Sequence, residues 1–499
     1  MKKKGKQLIA LLLCGVLLVG CGKSKSSQGN ATSAGSTLFQ GELERNVTIR
    51  VLENDTAIER GYFKELIDAF NEKYREYGIV AVDANMDQYL DLANDGPYGY
   101  GPDVLYQAND VLMKYVKGKH ILPLPVESLN CYDQIPEVAW KAYQTEVDGK
   151  VYTCGVPVIV QAPMLYYRKD MLPKDWDKTW DDNKNGIPDM LEDWNAMYRY
   201  SKEIHETDNT KYGYMESLYD PYFSTGYLFS YGGYIFGQNN TDSKDIGLGA
   251  GDAYKGVMVL KQLAGIMNEE CIDETIQRNV YAKLADGTYF ATISTPDVYT
   301  TFLKELITNY EKDGLSKDEA KKKAEVNLVI TSLPQLPVSG DITQESNEFM
   351  DMKAMGGING YAISAYTSVP NACLAFVDFA SSYDMLMKRN EFLGIAPARN
   401  DAATATGGLS AILYEKLATG QIIIMPSIQE VAQIWDPLNT FFSDLAKDAF
   451  RKEGEQKYTT KETYQKGLDT VSKQIYDAIF TLSTTKEAQN GDGKEDRGE

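Results

Sequence analysis

The chain has 499 residues, 43% of them hydrophobic and 24% charged, a length that predicts two or three domains with ample buried cores. Its formal charge is −20, and −24 once the lysines at 2, 3, 4 and 6 leave with a leader, which argues against nucleic acid as a partner and for small neutral or cationic ligands. Only His120 and His205 are available for a Ser-His or Cys-His nucleophile, and neither sits in a recognisable motif, while 71 acids leave a carboxylate pair open.

The four lysines precede an apolar run from Leu8 to Val19, too short for a comfortable membrane span and suited to a secretory core. It ends in Leu18-Val19-Gly20-Cys21, which resembles a bacterial lipobox. Residues 1–20 are therefore expected as a signal peptide, with cleavage before Cys21 and lipid on its sulfur. The chain would be tethered to a membrane rather than spanning it. Residues 21–44 follow as the lipidated end and its tether, Gly22 to Ser36 being rich in Ser, Gly, Asn and Lys. Cys131, Cys154, Cys271 and Cys373 remain; two bridges are permitted, buried free thiols are equally compatible, and spacing does not choose.

From Val47 the residues Val47, Ile49 and Val51 alternate with polar neighbours as a strand, which turns through Glu53-Asn54-Asp55-Thr56. A helix follows, with Phe63, Leu66, Ile67, Phe70 and Tyr74 on one stripe, and Ile79 to Val82 begins the next strand. A similar unit runs from Gly101-Pro102-Asp103 through Val104-Leu105-Tyr106 to a helix capped by Asn109-Asp110. Strand, helix, strand implies a parallel sheet. Ligands collect at the carboxyl ends of such strands, where Asp55 and Asp110 lie, although Asp110 also suits a plain helix cap.

Residues 149–172 are apolar and strand-like with a charged exit. The loop from Asp181 to Glu192, DDNKNGIPDMLE, then fits the calcium pattern D-x-[DN]-x-[DN]-G-x5-E at every constrained position. Oxygens would come from Asp181, Asn183, Asn185, the Ile187 carbonyl, Asp189 and Glu192, with Gly186 making the turn. Ca²⁺ takes such an all-oxygen set, whereas Zn²⁺ would want His or Cys. Pro188 cannot pair with a second loop, so a single loop holding structural Ca²⁺ is expected; a solvated acidic turn is the plainer alternative.

The stretch Tyr212 to Phe236 carries seven tyrosines and three phenylalanines with Glu216 and Asp220. Flat rings with polar tips suit a sugar, whose C–H face stacks on an aromatic plane while its hydroxyls bond carboxylates. An aromatic-rich core segment would look the same. Leu303 to Glu325 predicts a charged helical hairpin about Gly314-Leu315-Ser316 with no chemistry, and the tail from Thr484 is polar.

Five segments in order resemble the maltose and maltodextrin binding proteins, family 1 of the extracellular solute-binding proteins of ABC importers. They are Gly101-Pro102-Asp103-Val104, the stretch 149–172, Asp220-Pro221-Tyr222-Phe223 with Gly232-Gly233, Lys255 to Leu263 with Asp286-Gly287-Thr288 through Ile293, and Met425-Pro426-Ser427-Ile428 with Trp435. The resemblance implies an α/β fold, a two-lobed periplasmic-binding-protein-like clamp with several interdomain crossings. It places the N-lobe at 45–160 and the first part of the C-lobe, with the calcium-type loop, at 161–330. An N-lobe return follows at 331–380, the second part of the C-lobe at 381–483 and a disordered tail at 484–499. Tyr222 and Trp435 match stacking positions, and Asp55 and Asp110 match acids that bond sugar hydroxyls. Asp220 and Gln161 stand where the family has glutamate, and Asp297 where it has tryptophan, with Tyr299 two residues on. Val111 replaces an arginine. The loop 181–192 looks inserted at a helix start.

The function so implied is capture of an oligosaccharide, most simply maltose or maltodextrin, for the membrane subunits of an ABC permease. The protein would be a monomer on the outer face, held by its lipid. A different oligosaccharide, a sensor handing its closed state to a receptor, and a secreted glycoside-acting enzyme with two flanking carboxylates stay open at this point.

Overall fold

The structure, a computed structural model, describes residues 37–39, 41–87, 92–272 and 275–491. The leader, Cys21 and most of the tether lie outside the described residues. In chain order the first elements are β1 (Val47–Leu52), α1 (Tyr62–Lys73), β2 (Ile79–Asp83), β3 (Val104–Ala108), α2 (Asn109–Lys117), β4 (Val156–Gln161) and β5 (Met164–Arg168). Next come α3 (Trp194–Thr207), β6 (Tyr212–Met215), α4 (Pro221–Ser230), α5 (Tyr254–Ala264), β7 (Tyr289–Ser294), α6 (Tyr299–Lys312), α7 (Lys317–Asn327) and β8 (Leu328–Thr331). The remainder holds β9 (Ala354–Ile363), α8 (Pro370–Ala380), α9 (Tyr383–Leu393), β10 (Ile422–Ile424), α10 (Trp435–Ala449) and α11 (Lys461–Gly491).

The alternation along β1 works as the sequence suggests: Ile49 and Val51 are buried. The stripe on α1 buries Tyr62, Phe63, Leu66 and Phe70 against them. β1 pairs in parallel with β2 and β3, and β9 then joins antiparallel to β3, giving the order β10-β9-β3-β1-β2 with β4 also on β9. The second sheet runs β8-β5-β7-β6. Each sheet has its own apolar core, one built on β1, β3, β4 and β9 and the other on α3, α4, α5, β7 and α10. That is the two-lobed arrangement.

Two boundaries fall elsewhere than expected. Leu336, Ile342 and Met352 still pack in the second core, so the return to the first lobe begins with β9 and not at residue 331. Residues 381–422 pack in the first core through Met385, Leu386, Leu393, Ile395, Leu413 and Leu417 rather than joining the second lobe. The cause is β10, which pairs in parallel with the start of β9, Ala354 against Ile422, so the chain leaves the first sheet only after Ile424. The tail also differs, because α11 continues to Gly491 instead of ending near Thr484. The hairpin about Gly314 is present as α6 and α7. Cys131, Cys154, Cys271 and Cys373 are buried, and no disulfide joins them among the described residues.

Beneath the carboxyl end of β1 lies a buried ion pair. Arg389 donates from Nη2 to Glu53 Oε1 at 2.9 Å and from Nη1 to Oε2 at 3.1 Å, and the Tyr361 hydroxyl donates to Oε2 at 2.5 Å. The guanidinium lies 3.9 Å from the Tyr106 ring centre. Glu53 also accepts from the Asn54 N–H at 3.1 Å, which fixes the loop leading into the cleft.

Candidate functional site

A cavity of about 500 Å³ opens between the lobes. From the first lobe, the turn after β1 supplies Asn54, Thr56 and Arg60, β3 supplies Tyr106, Gln107 and Ala108, and α2 supplies Asp110 and Val111. From the second, α4 contributes Tyr222, the turn after β7 contributes Asp297, and α10 contributes Trp435. Gln161 at the end of β4, Asn359 on β9 and Met425 complete its polar and crossing walls.

Five residues expected at the site thus meet: Asp110, Gln161, Tyr222, Asp297 and Trp435. The Tyr222 hydroxyl approaches the Gln161 carbonyl at 3.5 Å, across the crossing segment. Burial pushes this hydroxyl above its ordinary range, and the charges of Asp297, Asp220 and Asp110 add to that. Burial raises the Asp110 carboxyl as well, against the N–H groups of Val111 and Asp110 that hold it down. The second lobe therefore offers the rings of Tyr222 and Trp435 with the Asp297 carboxylate, and the first lobe the Asp110 carboxylate with the amides of Asn54 and Gln107. This arrangement can stack on and bond a flat polyol.

Three expected residues do not line the cavity. Asp55 is exposed at the start of the short helix Asp55–Glu59, between the lining residues Asn54 and Thr56. Asp220 is the cap of α4, accepting from the Tyr222 N–H at 2.9 Å, so it positions the ring instead of a ligand. Tyr299 begins α6 and packs on the small core of Phe302, Leu306 and Tyr310.

The aromatic stretch is mostly interior. Tyr214, Tyr227, Phe229, Tyr231 and Phe236 are buried in the second core, and only Tyr222 of its tyrosines lines the cavity. Glu216 is fully buried between the hydroxyls of Tyr214 and Tyr227, each donating to Oε2 at 3.0 Å. Burial lifts its carboxyl to about 7, although those two hydroxyls and Ser224 hold it down; the Asp220 charge adds to the rise. The sequence reading missed Arg60, Gln107 and Asn359. Asn359 carried a signal, a polar residue within an otherwise apolar strand. A wider groove of about 940 Å³ on the second lobe, with Lys447, Lys457 and Lys466 on its walls, contains none of the expected residues.

The loop 181–192 closes on itself. Asp181 accepts from the N–H groups of Asn185 at 3.0 Å and Gly186 at 3.3 Å. Asn183 and Asn185 reach Glu192 at 3.0 and 2.6 Å, and Asp189 accepts from the Asp182 N–H at 3.1 Å. The Glu192 carbonyl accepts from the Gln335 N–H at 2.7 Å, just before Leu336 of the second core, which ties the loop to that lobe. Among the described residues no three His, Cys, Asp or Glu side chains form a metal set by themselves. Any cation here would need the two asparagine amides. No helix among the described residues is long and apolar enough to cross a membrane.

The sequence model for bacterial extracellular solute-binding proteins matches residues 65–411. The maltodextrin-binding protein MdxE of Bacillus subtilis is 26% identical, over 89% of this chain and 93% of its own length. A galactooligosaccharide-binding protein of the same organism is 25% identical over 89% of this chain and 93% of its own. The maltooligosaccharide ABC transporter solute-binding lipoprotein of Streptococcus pneumoniae R6 is 26% identical over 90% and 95%. Among solved structures, the maltose-binding periplasmic protein MalE of Listeria monocytogenes with maltose has a TM-score of 0.66 at 19% identity, covering 87% of this chain and 98% of that one. At that identity the likeness shows the fold.

Proposed function

The chain belongs to the bacterial extracellular solute-binding protein family, which makes it a binding protein and not an enzyme, and on that footing we propose that it captures a maltodextrin for an ABC permease. The observation that carries the choice of a sugar is the convergence of Tyr222, Trp435, Asp110, Asp297 and Gln161 on one interlobe cavity. Calorimetry on the purified protein with maltose, maltotriose, longer maltodextrins and β-linked oligosaccharides tests it. Binding of α-glucans, lost in Trp435→Ala and Tyr222→Ala, is expected; binding confined to β-linked sugars would discard the maltodextrin. A second reading, the same role for a galacto-oligosaccharide, is supported by the nearly equal identity to the relative that binds one.

Lipidation at Cys21 is part of the proposal. It is supported by the lysine-rich leader ending in Leu18-Val19-Gly20-Cys21 and by the lipoprotein relative. Cys21→Ala is expected to release the protein from the membrane, and retention would count against it. A monomer suffices for this role.

The proposal also includes Ca²⁺ in the loop, held by Asp181, Asn183, Asn185, the Ile187 carbonyl, Asp189 and Glu192. Support comes from an all-oxygen donor set and from two carboxylates, Asp181 at 5% and Asp189 at 7% exposure, which form no ion pair with a lysine or arginine among the described residues. Burial raises the Asp189 carboxyl, and the Asp182 and Glu192 charges add to it, against the Asp182 N–H and the Arg199 charge, which hold it down. Turning the Asn183 and Asn185 amides over would offer their oxygens. Trp180 adjoins Asp181, so Tb³⁺ should show luminescence sensitised by its indole, and chelation should lower the melting temperature. Absence of both effects would remove the metal from the account.

A further inference from the structure

The cavity carries a charge imbalance. Asp110 and Asp297 line it, one from each lobe, and the one cationic lining residue among those described, Arg60, is engaged elsewhere. Its Nη1 donates to the Leu393 carbonyl at 3.0 Å and its Nη2 to the Thr300 hydroxyl. Asp297 Oδ1 is buried and has no hydrogen-bond partner. The Tyr166 hydroxyl, which feels the Asp297 charge, donates instead to the Thr295 carbonyl at 2.8 Å, and Tyr222 faces the Gln161 carbonyl.

The Arg60 to Thr300 bond joins the two lobes beside the cavity, and Thr300 lies three residues beyond Asp297 in the chain. The contact that bridges the lobes therefore holds the Asp297 turn against the cavity. A carboxylate oxygen open to water is fully hydrated. Covered with no donor to replace that water, it makes closure unfavourable. From these contacts we infer that Asp297 is a specificity-determining residue, whose carboxylate makes lobe closure conditional on a ligand that donates a hydroxyl hydrogen to Oδ1. Sugars with an anionic group at that place are repelled, and sugars lacking the hydroxyl leave the oxygen unpaired.

This rests on the cavity being an oligosaccharide site, and the test separates the two. Sugar-free wild-type protein, Asp297→Ala and Asp297→Asn are compared by small-angle scattering, with melting temperatures confirming the fold. The alanine variant is expected to be more compact without sugar than the wild type. Calorimetry then pairs wild type and Asp297→Ala with maltotriose and its monodeoxy derivatives. One derivative is expected to lose about tenfold or more in affinity on the wild type, and that loss should vanish in the variant. Unchanged sugar-free scattering, or the same deoxy losses in both proteins, overturns the role of Asp297. Silence toward maltotriose would instead refute the maltodextrin reading, and the sugar-free comparison would still decide Asp297.

Discussion

Replacing Arg389 with methionine keeps an unbranched apolar stem and deletes the charge that faces Glu53. Both partners of this pair are essentially inaccessible, at 1% and 0% side-chain exposure. The variant leaves Glu53 with the Tyr361 hydroxyl and the Asn54 N–H as donors and no counter-charge. Removing one member of a buried pair costs about 3–5 kcal/mol, because the survivor stays buried and uncompensated. Urea unfolding followed by circular dichroism measures it. The same loss should loosen the Asn54 to Arg60 turn and weaken ligand binding. Adding Glu53→Gln to the methionine variant should recover much of the stability. A loss below about 1 kcal/mol, or no recovery in the double variant, would refute the reasoning.

Glu216 makes stability depend on pH. Its carboxyl is lifted from 4.5 to about 7 in the folded protein, chiefly by burial, so the folded state holds the proton more tightly than the unfolded one. The stabilisation is complete at acid pH and is lost as pH rises from the unfolded value through about 7, by about 3 kcal/mol at most. Glu216→Gln should flatten this part of the stability curve; an unchanged slope between pH 5 and 8 would exclude Glu216 as its source. At Gly226 an added Cβ would meet the Lys353 carbonyl at 2.6 Å, where α4 packs on the entry to β9. Gly226→Val should therefore cost about 1–3 kcal/mol and, by shifting Tyr222, weaken ligand binding as well, both readable by melting and calorimetry. Melting and affinity at wild-type values would show that the crossing has room to spare.

What the sequence disclosed was mainly local. The alternation in β1, the stripe on α1 and the charged hairpin of α6 and α7 are set by neighbours a few residues away, and they stand where periodicity puts them. The second-lobe boundary was misplaced because β10 is only three residues long, and its pairing with β9 leaves no signature in its own composition. The aromatic stretch misled for a different reason. Tyrosine serves equally as a ring packed in a core and as a sugar platform, and only burial separates Tyr227 from Tyr222.

The site follows the same division. Asp110 was legible because the end of β3 and the start of α2 adjoin in sequence, and Tyr222 because Asp220-Pro221 starts its helix. Glu53 looked like any acid in a turn. Its role comes from Arg389, 336 residues away, and Arg60 likewise depends on Leu393 and Thr300. Such residues cannot be ranked by local chemistry, because an acid or a base has the same composition whether it meets water, a ligand or a buried counter-charge. Asp297 shows the consequence most directly. It occupies a cavity position shared with Tyr222 and Trp435, yet only the absence of a donor to Oδ1 marks it as a group that needs something from the ligand. Selectivity in this cleft is then set as much by what the protein leaves unpaired as by the rings on which a sugar would stack.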